Sequence, residues 1–544
     1  MSSTPVLSVK GLTVGYRKNR VLSPVVHEVE FEVGPGQVLA LVGESGSGKT
    51  TTGHAVLGLL PANGEIIGGE ILFGGRDLTA LSTQAWRDIR GRAIGLIPQD
   101  PTVSLDPVRR VGHQVEDVLR LHSDLDADAR RLRVLELFEL VGFDDAPRRY
   151  RQYPHELSGG MRQRVLVASA VATEPKLIIA DEPTSGLDAT VQKQVLDLID
   201  DLRVRSETSL VLVTHDLGVA ADRSDLIGVM HNGRLVEVGP TADVLADPQH
   251  VYTRHLLGSV PSRLAIRDVA VPVAPVGETV VEVVDLHKNY ADVPAVDGIS
   301  FRIGKGETFS IVGESGSGKS TTARILTGLT TATSGHVSLL GVDTTSFDSA
   351  ELRPLRRDVQ IVYQNPYASF DPRFSVFDVV EEPLRSLERR NFFGRGRRER
   401  RRANRDRVVA ALEATALSGD FASRNPSELS GGQRQRVAIA RALVIDPKIV
   451  VLDEPISALD VSVAAQILEL LETLQRERGL TYVFISHDLS VVSAISDRVA
   501  VMQRGRIVEQ GPIERVFSNP SSDYTVRLLD AIAGRELTGT AGNR

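Results

Sequence analysis

One block of this sequence occurs twice. GESGSGKT at 43–50 returns as GESGSGKS at 313–320, ELSGGMRQRV at 156–165 as ELSGGQRQRV at 428–437, ADEPTSGLD at 180–188 as LDEPISALD at 452–460, and THDL at 214–217 as SHDL at 486–489. Lys49 and Lys319 stand 270 residues apart and the other three pairs 272 apart, so order and spacing are both kept. A solenoid would recur at roughly 20–50 residues and repeat apolar positions. Here the repeated residues are polar and sit at the ends of apolar runs, where binding and chemistry concentrate. The chain therefore reads as two copies of one domain. Its length of 544 residues agrees, because single cores stop growing at roughly 250–300 residues. Between the copies, GSVPSRLAIRDVAVPVAPVGETV at 258–280 repeats Pro, Val and Ala without helical period and reads as an extended linker, which places the domains at 1–257 and 281–544.

The repeated residues suggest a chemistry. VLALVG at 38–43 is an apolar, β-branched run followed by glycines and then by TTGHAVLGLL, which has helical character. Strand, loop and helix are the setting that G-x-x-x-x-G-K-[ST] needs to act as a phosphate loop. Its glycines let backbone N–H groups turn in around phosphate oxygens, and the helix N-terminus adds partial positive charge. The phosphate-binding set is Gly43, Ser45, Gly46, Gly48, Lys49, Thr50 and Thr51 in the first copy, with Gly313, Ser315, Gly316, Gly318, Lys319, Ser320 and Thr321 in the second. Lys49 and Lys319 would reach the β- and γ-phosphates, and Thr50 and Ser320 would offer hydroxyls to Mg²⁺. KLIIADE at 176–182 and KIVVLDE at 448–454 are buried-strand patterns ending in paired carboxylates. Asp181 and Asp453 are expected to hold Mg²⁺, and Glu182 and Glu454, one residue beyond, to polarise the attacking water. His215 and His487 close two further apolar strands, from which each could contact a γ-phosphate.

With these motifs in view, the chain resembles a tandem pair of ABC-transporter nucleotide-binding domains. LSGGM at 157–161 and LSGGQ at 429–433 are similar to that family's signature sequence. The resemblance implies an α/β fold with two P-loop NTPase domains, each with a mixed, largely parallel sheet core, an antiparallel β subdomain and an α-helical subdomain. It implies an ATPase that uses ATP and Mg²⁺. It places Gln99 and Gln364 in Q-loops at the nucleotide and metal, SGLD at 185–188 and SALD at 457–460 as D-loops, and Tyr16 and Tyr290 where the family stacks an aromatic on adenine. In the family the signature acts in trans. Ser430, Gly431 and Gly432 would then share an ATP with Lys49, and Ser158, Gly159 and Gly160 would share one with Lys319. Met161 departs from the usual glutamine and takes a polar side chain away from the signature facing the Lys319 site.

QDPTVSLDP at 99–107, QNPYASFDP at 364–372 and the tails PQHVYTRHLL at 248–257 and PSSDYTVRLL at 520–529 resemble the dipeptide and oligopeptide importer ATPases. That likeness implies two permease partners, an extracytoplasmic binding protein, one copy of this chain per transporter and a place at the cytoplasmic face of the inner membrane. Its cargo stays open among dipeptides, longer peptides, nickel chelates and other peptide-like solutes. No run of about 18–20 apolar residues spans a membrane, so other chains would supply the spans. Some relatives carry a cysteine-ligated iron–sulfur cluster near the C-terminus, but the chain has no cysteine and none is expected. The alternative is a tandem-ABC factor working on ribosomes or DNA. A net charge of −7 argues against nucleic acid as a partner, and neither a long charged helical linker nor heptad arms are present. The basic run RRNFFGRGRRERRRANRDR at 389–407 reads as a solvated loop and helix start, with attraction to anionic lipid heads as its alternative.

Overall fold

The computed structural model describes residues 4–19, 21–259, 277–345, 347, 351–365, 369–387, 397–457 and 459–534. The chain divides into two compact units, Met1–Arg263 with Ala533–Arg544, and Leu264–Ile532. Most of the linker read at 258–280 and the first part of the basic run, 389–396, lie outside the described residues; from Arg397 the run is helical, to Ala414.

The first unit holds β1 (Leu7–Lys18), β2 (Val21–Val33), β3 (Val38–Val42), β4 (Gly64–Phe73), β5 (Arg76–Asp77), β6 (Ile94–Ile97), β7 (Leu177–Asp181), β8 (Ser209–Val213), β9 (Leu226–His231) and β10 (Arg234–Pro240). They form two sheets. One is antiparallel with order β2-β1-β4-β5, and the other has order β10-β9-β3-β8-β7-β6 and is parallel except where β10 runs against β9. The second unit repeats this with β11 (Thr279–Tyr290), β12 (Val293–Gly304), β13 (Thr308–Val312), β14 (Ser334–Leu339), β15 (Val342–Asp343), β16 (Val359–Val362), β17 (Ile449–Asp453), β18 (Thr481–Ile485), β19 (Arg498–Gln503) and β20 (Arg506–Pro512). Its sheets have the orders β12-β11-β14-β15 and β16-β17-β18-β13-β19-β20.

β3, β7 and β8 are buried along their whole length. That is why they read as continuous apolar runs and not as alternating ones: a parallel sheet is covered on both faces. Successive side chains still point to opposite faces. Leu39, Leu41, Ile179 and Val213 enter a core shared with the antiparallel sheet, whereas Val38, Ile178, Ala180 and Leu212 enter a core shared with helices Val111–His122, Ala127–Leu140 and Gly159–Val171. In the second unit Ile311, Val451 and Ile485 face the antiparallel sheet, and Val450, Leu452 and Phe484 face the helical segment. Each unit is thus one sheet between a β layer and a helical layer, with β3 or β13 at its centre. Loops leaving the carboxyl ends of the central strands gather at one edge of each sheet, the usual ligand position of such sheets.

Ile179 is 0% exposed at the middle of β7. Ile179→Ala is expected to cost about 2–5 kcal/mol. Hydrogen exchange should rise in β3, β7 and β8 while β13, β17 and β18 keep their protection; equal loss in both sets would contradict two separately cored units.

Candidate active site

The loop after β3 can turn tightly because its glycines occupy the left-handed region, with φ of 145° at Gly43, 79° at Gly46 and 104° at Gly48. A Cβ on Gly43 would lie 2.2 Å from the carbonyl oxygen of Met230 in β9, so no other residue fits there. Helix Lys49–Val56 starts directly after Gly48, and its first N–H groups have no partner within the helix. Lys49 is buried, and its Nζ donates to the Gly43 and Glu44 carbonyl oxygens at 2.6 and 2.9 Å. Lys319 repeats this with Gly313 and Glu314 at 2.7 and 2.8 Å. The loop carbonyls hold each ammonium inside the turn, at the place where an anion would be bound. Ser45, Gly46, Ser315 and Gly316 are exposed at the loop crests.

Three neighbouring strands deliver the remaining groups to that edge. From β7, Asp181 accepts the Thr50 hydroxyl at 3.0 Å; from β17, Asp453 accepts that of Ser320 at 3.2 Å. Burial lifts both aspartic carboxyls above their ordinary range, against the lowering effect of those hydroxyls. A buried carboxylate beside a hydroxyl is an all-oxygen donor set of the kind Mg²⁺ takes with substrate phosphates, and a cation there would favour the charged form that burial disfavours.

Glu182 and Glu454 leave the strands in the left-handed region, at φ of 45° and 49°. Backbone of that kind is rare for a side chain of this size, and such strain concentrates at functional positions. It aims each carboxylate between two partners. Glu182 accepts from Gln99 Nε2 at 2.6 Å and meets His215 Nδ1 at 3.1 Å; Glu454 accepts from Gln364 Nε2 at 2.6 Å and meets His487 Nδ1 at 3.2 Å. Burial would raise both glutamic carboxyls, but the histidine hydrogen bonds and charges, the loop lysines and the glutamines outweigh it and hold them below their ordinary values. The bond to Glu182 raises His215 against the effect of burial. In His487 burial works downward, and the bond to Glu454 overcomes it.

Loop lysine, hydroxyl, both carboxylates, glutamine and histidine therefore converge in each unit. Tyr16 touches the same region, its hydroxyl 3.3 Å from Thr51 Oγ1. Tyr290 is placed differently: the residue is 47% exposed, with Lys288 Nζ 5.2 Å from its ring centroid. The signature residues make their contacts elsewhere. Ser158 caps helix Gly159–Val171 by accepting the Met161 N–H, and Ser430 caps helix Gly431–Leu443 by accepting that of Gln433. Gln433 returns the bond through its Oε1 to the Ser430 N–H at 3.0 Å, which closes a capping box. Met161 has no oxygen to return and packs instead against the core. Sequence reasoning passed over His54, whose Nε2 lies 3.9 Å from Asp181, and Arg324, the cation near Asp453 in the second unit. Each is the sixth residue of the helix that follows the loop, in its last turn.

The ABC transporter family model matches residues 26–185 and 296–457, and the model for the oligopeptide/dipeptide transporter C-terminal region matches 236–273. The chain belongs to the ABC transporter family and carries two of its ATPase domains. It is 43% identical to the peptidoglycan transport ATP-binding protein YejF of Agrobacterium fabrum, over 99% of this chain and 98% of that protein. It is 40% identical to the oligopeptide transport ATP-binding protein OppD of Mycobacterium tuberculosis, over 97% of this chain and 98% of that one. The glutathione import ATP-binding protein GsiA of Salmonella typhimurium is 40% identical over 98% of this chain and 90% of its own length. The enzyme is an ABC-type ATPase.

The two signature glycines differ in their surroundings. A Cβ on Gly160 would lie 2.4 Å from Val191 Cγ1, whereas one on Gly159 would lie 3.5 Å from Leu187 Cδ2; Gly432 and Gly431 repeat this against Val463 and Leu459. Gly160→Ala should cost about 1–3 kcal/mol through overpacking, less the roughly 1 kcal/mol that Ala gains over Gly in a helix. Gly159→Ala should be neutral or stabilising. Thermal midpoints without nucleotide check this, and equal midpoints for the two variants would contradict the packing described.

Proposed function

We propose that this chain is the energy-converting subunit of an ABC importer for peptides or peptide-like solutes. The carrying observation is the duplicated constellation of a loop lysine, a hydroxyl-bonded aspartate and a glutamate held by glutamine and histidine, on one sheet edge in each unit. The matched C-terminal region and the near-full-length likeness to ATP-binding proteins of peptidoglycan, oligopeptide and glutathione transport support the solute class.

In this reading Lys49 and Lys319 move from the loop carbonyls to the phosphates of ATP, an exchange of one set of oxygens for another. Thr50 with Asp181, and Ser320 with Asp453, hold Mg²⁺, assisted by Gln99 and Gln364; the ion's contribution is to neutralise phosphate charge. Glu182 and Glu454, kept ionised by their partners, orient and polarise the attacking water. His215 and His487 hold the glutamates and lie where a γ-phosphate would be met. Tyr16 and Tyr290 bear on adenine. Ser158, Gly159 and Gly160 complete the Lys319 site, and Ser430, Gly431 and Gly432 the Lys49 site, so that ATP joins the two domains, read as 1–257 and 281–544 around the linker, and hydrolysis releases them. Each signature starts a helix of 13 residues whose N-terminus favours an anion.

No described helix is long and apolar enough to cross a membrane. We assign the chain to the cytoplasmic face of the membrane, one copy with two permease subunits and an extracytoplasmic binding protein.

The glutamates supply the test. Glu182→Gln with Glu454→Gln removes the base and leaves both loop lysines, so hydrolysis should fall by about 10²-fold or more while ATP still binds. ATP turnover and equilibrium nucleotide binding on the full chain check it. Near-normal turnover in the double variant would overturn the assignment.

A further inference from the structure

We infer that Tyr252 and Tyr524, in the C-terminal helix of each unit, are positioning residues for the phosphate loops. Tyr252 is 8% exposed in helix Val251–Gly258, and its hydroxyl accepts the backbone N–H of Glu44 at 3.3 Å. Tyr524 is 5% exposed in helix Asp523–Asp530 and accepts the N–H of Glu314 at 3.1 Å. These pairs are 208 and 210 residues apart in the chain. The same long-range bond is therefore built twice.

Its importance lies in which peptide group it holds. The Glu44 N–H and the Gly43 C=O belong to a single planar unit. At one end that plane is held by Tyr252, and at the other its oxygen receives Lys49 Nζ at 2.6 Å. In the second unit Tyr524 and Lys319 hold the Gly313–Glu314 plane in the same way. Each tyrosine thus fixes the tilt of the peptide on which rests the lysine that the proposed function assigns to phosphate, beside a glycine that has no Cβ to limit its own rotation.

The tyrosines are themselves anchored. Glu237 in β10 accepts the N–H groups of Gln249 and His250 at 2.8 and 3.1 Å, tying down the start of the Tyr252 helix. Glu509 in β20 accepts those of Ser521 and Ser522 at 2.9 and 3.1 Å for the Tyr524 helix. His231 stacks on Tyr252 with centroids 3.8 Å apart. Tyr252 lies inside the segment matched by the oligopeptide/dipeptide C-terminal region, so that region reaches the nucleotide site directly. Without the hydroxyl, the plane would have to be ordered by ATP at the moment of binding. That loss falls equally on ground and transition states, so it appears in KM and not in kcat.

Tyr→Phe deletes the hydroxyl and keeps the ring packing. Tyr252→Phe with Tyr524→Phe should raise the KM for ATP by about two- to tenfold, the range expected for one net hydrogen bond per site. kcat should stay at its wild-type value, while loss of a bond already made without nucleotide lowers the nucleotide-free melting temperature only slightly. Both single variants are measured alongside, so a folding defect confined to the pair leaves the comparison intact. An unchanged KM, or a fall in kcat at constant KM, in the single variants would overturn the inference and make the tyrosines packing residues only.

Discussion

A phosphate loop can lie across the end of this sheet only because Gly43 and Gly313 carry no side chain. Methionine carbonyl oxygens of the neighbouring strands would stand 2.2 and 2.1 Å from any Cβ there. This approach brings the loop against the strand edge, and the rest of the site is arranged around it. The N–H of Gly233 donates to Ser47 O at 3.0 Å and that of Gly505 to Ser317 O at 2.9 Å, so the turn of the following hairpin grips the far side of each loop. With the loop fixed, Lys49 and Lys319 have one resting place. The carboxylates of β7 and β17 then arrive beside the hydroxyls that begin the helices. Backbone geometry, and not side-chain attraction, makes the first selection.

The electrostatics follow from that placement. Each edge collects two carboxylates and a lysine in a partly dry crevice, and the two carboxylates are treated differently. The aspartate is pushed toward its neutral form by burial, whereas the glutamate one residue later is kept charged by histidine and lysine. Neighbouring acids with opposed shifts are suited to different tasks. In the function proposed above, one would hold a cation and the other would act on a water molecule. The glutamate, in left-handed backbone, meets glutamine and histidine, whereas the aspartate meets the hydroxyl at the helix start.

The halves repeat this plan with local differences. His54 is replaced by Arg324 near the aspartate, Met161 by Gln433 at the signature cap, and His231, which stacks on Tyr252, by Gln503 at the matching end of β19. Most of the plan was legible from the chain alone. The apolar runs before Gly43, Asp181 and His215 mark buried parallel strands, and glycine spacing marks the loop. Recurrence at one offset separates Glu182 and His215 from ordinary core residues. Other features were not legible. The left-handed turn at Glu182 is imposed by tertiary pairing of its N–H with Val213 O, and no local propensity announces it. Gln433 could be read as a ligand-facing side chain, yet it folds back as a cap, a choice between two hydrogen bonds that spacing cannot decide. Tyr252 and Glu44 meet across 208 residues, a contact set by the sheet order. Tyr16 and Tyr290 share a motif position but differ in exposure, because the strands and loops around them differ.

Both sheet edges are proposed to bind nucleotide within one chain. Native mass spectrometry of the full-length protein with Mg²⁺ and a slowly hydrolysed ATP analogue tests it most directly. Two nucleotides per chain are expected at saturation, with the second lost when Lys319 is changed to Ala. A single nucleotide per chain in the unaltered protein would contradict it.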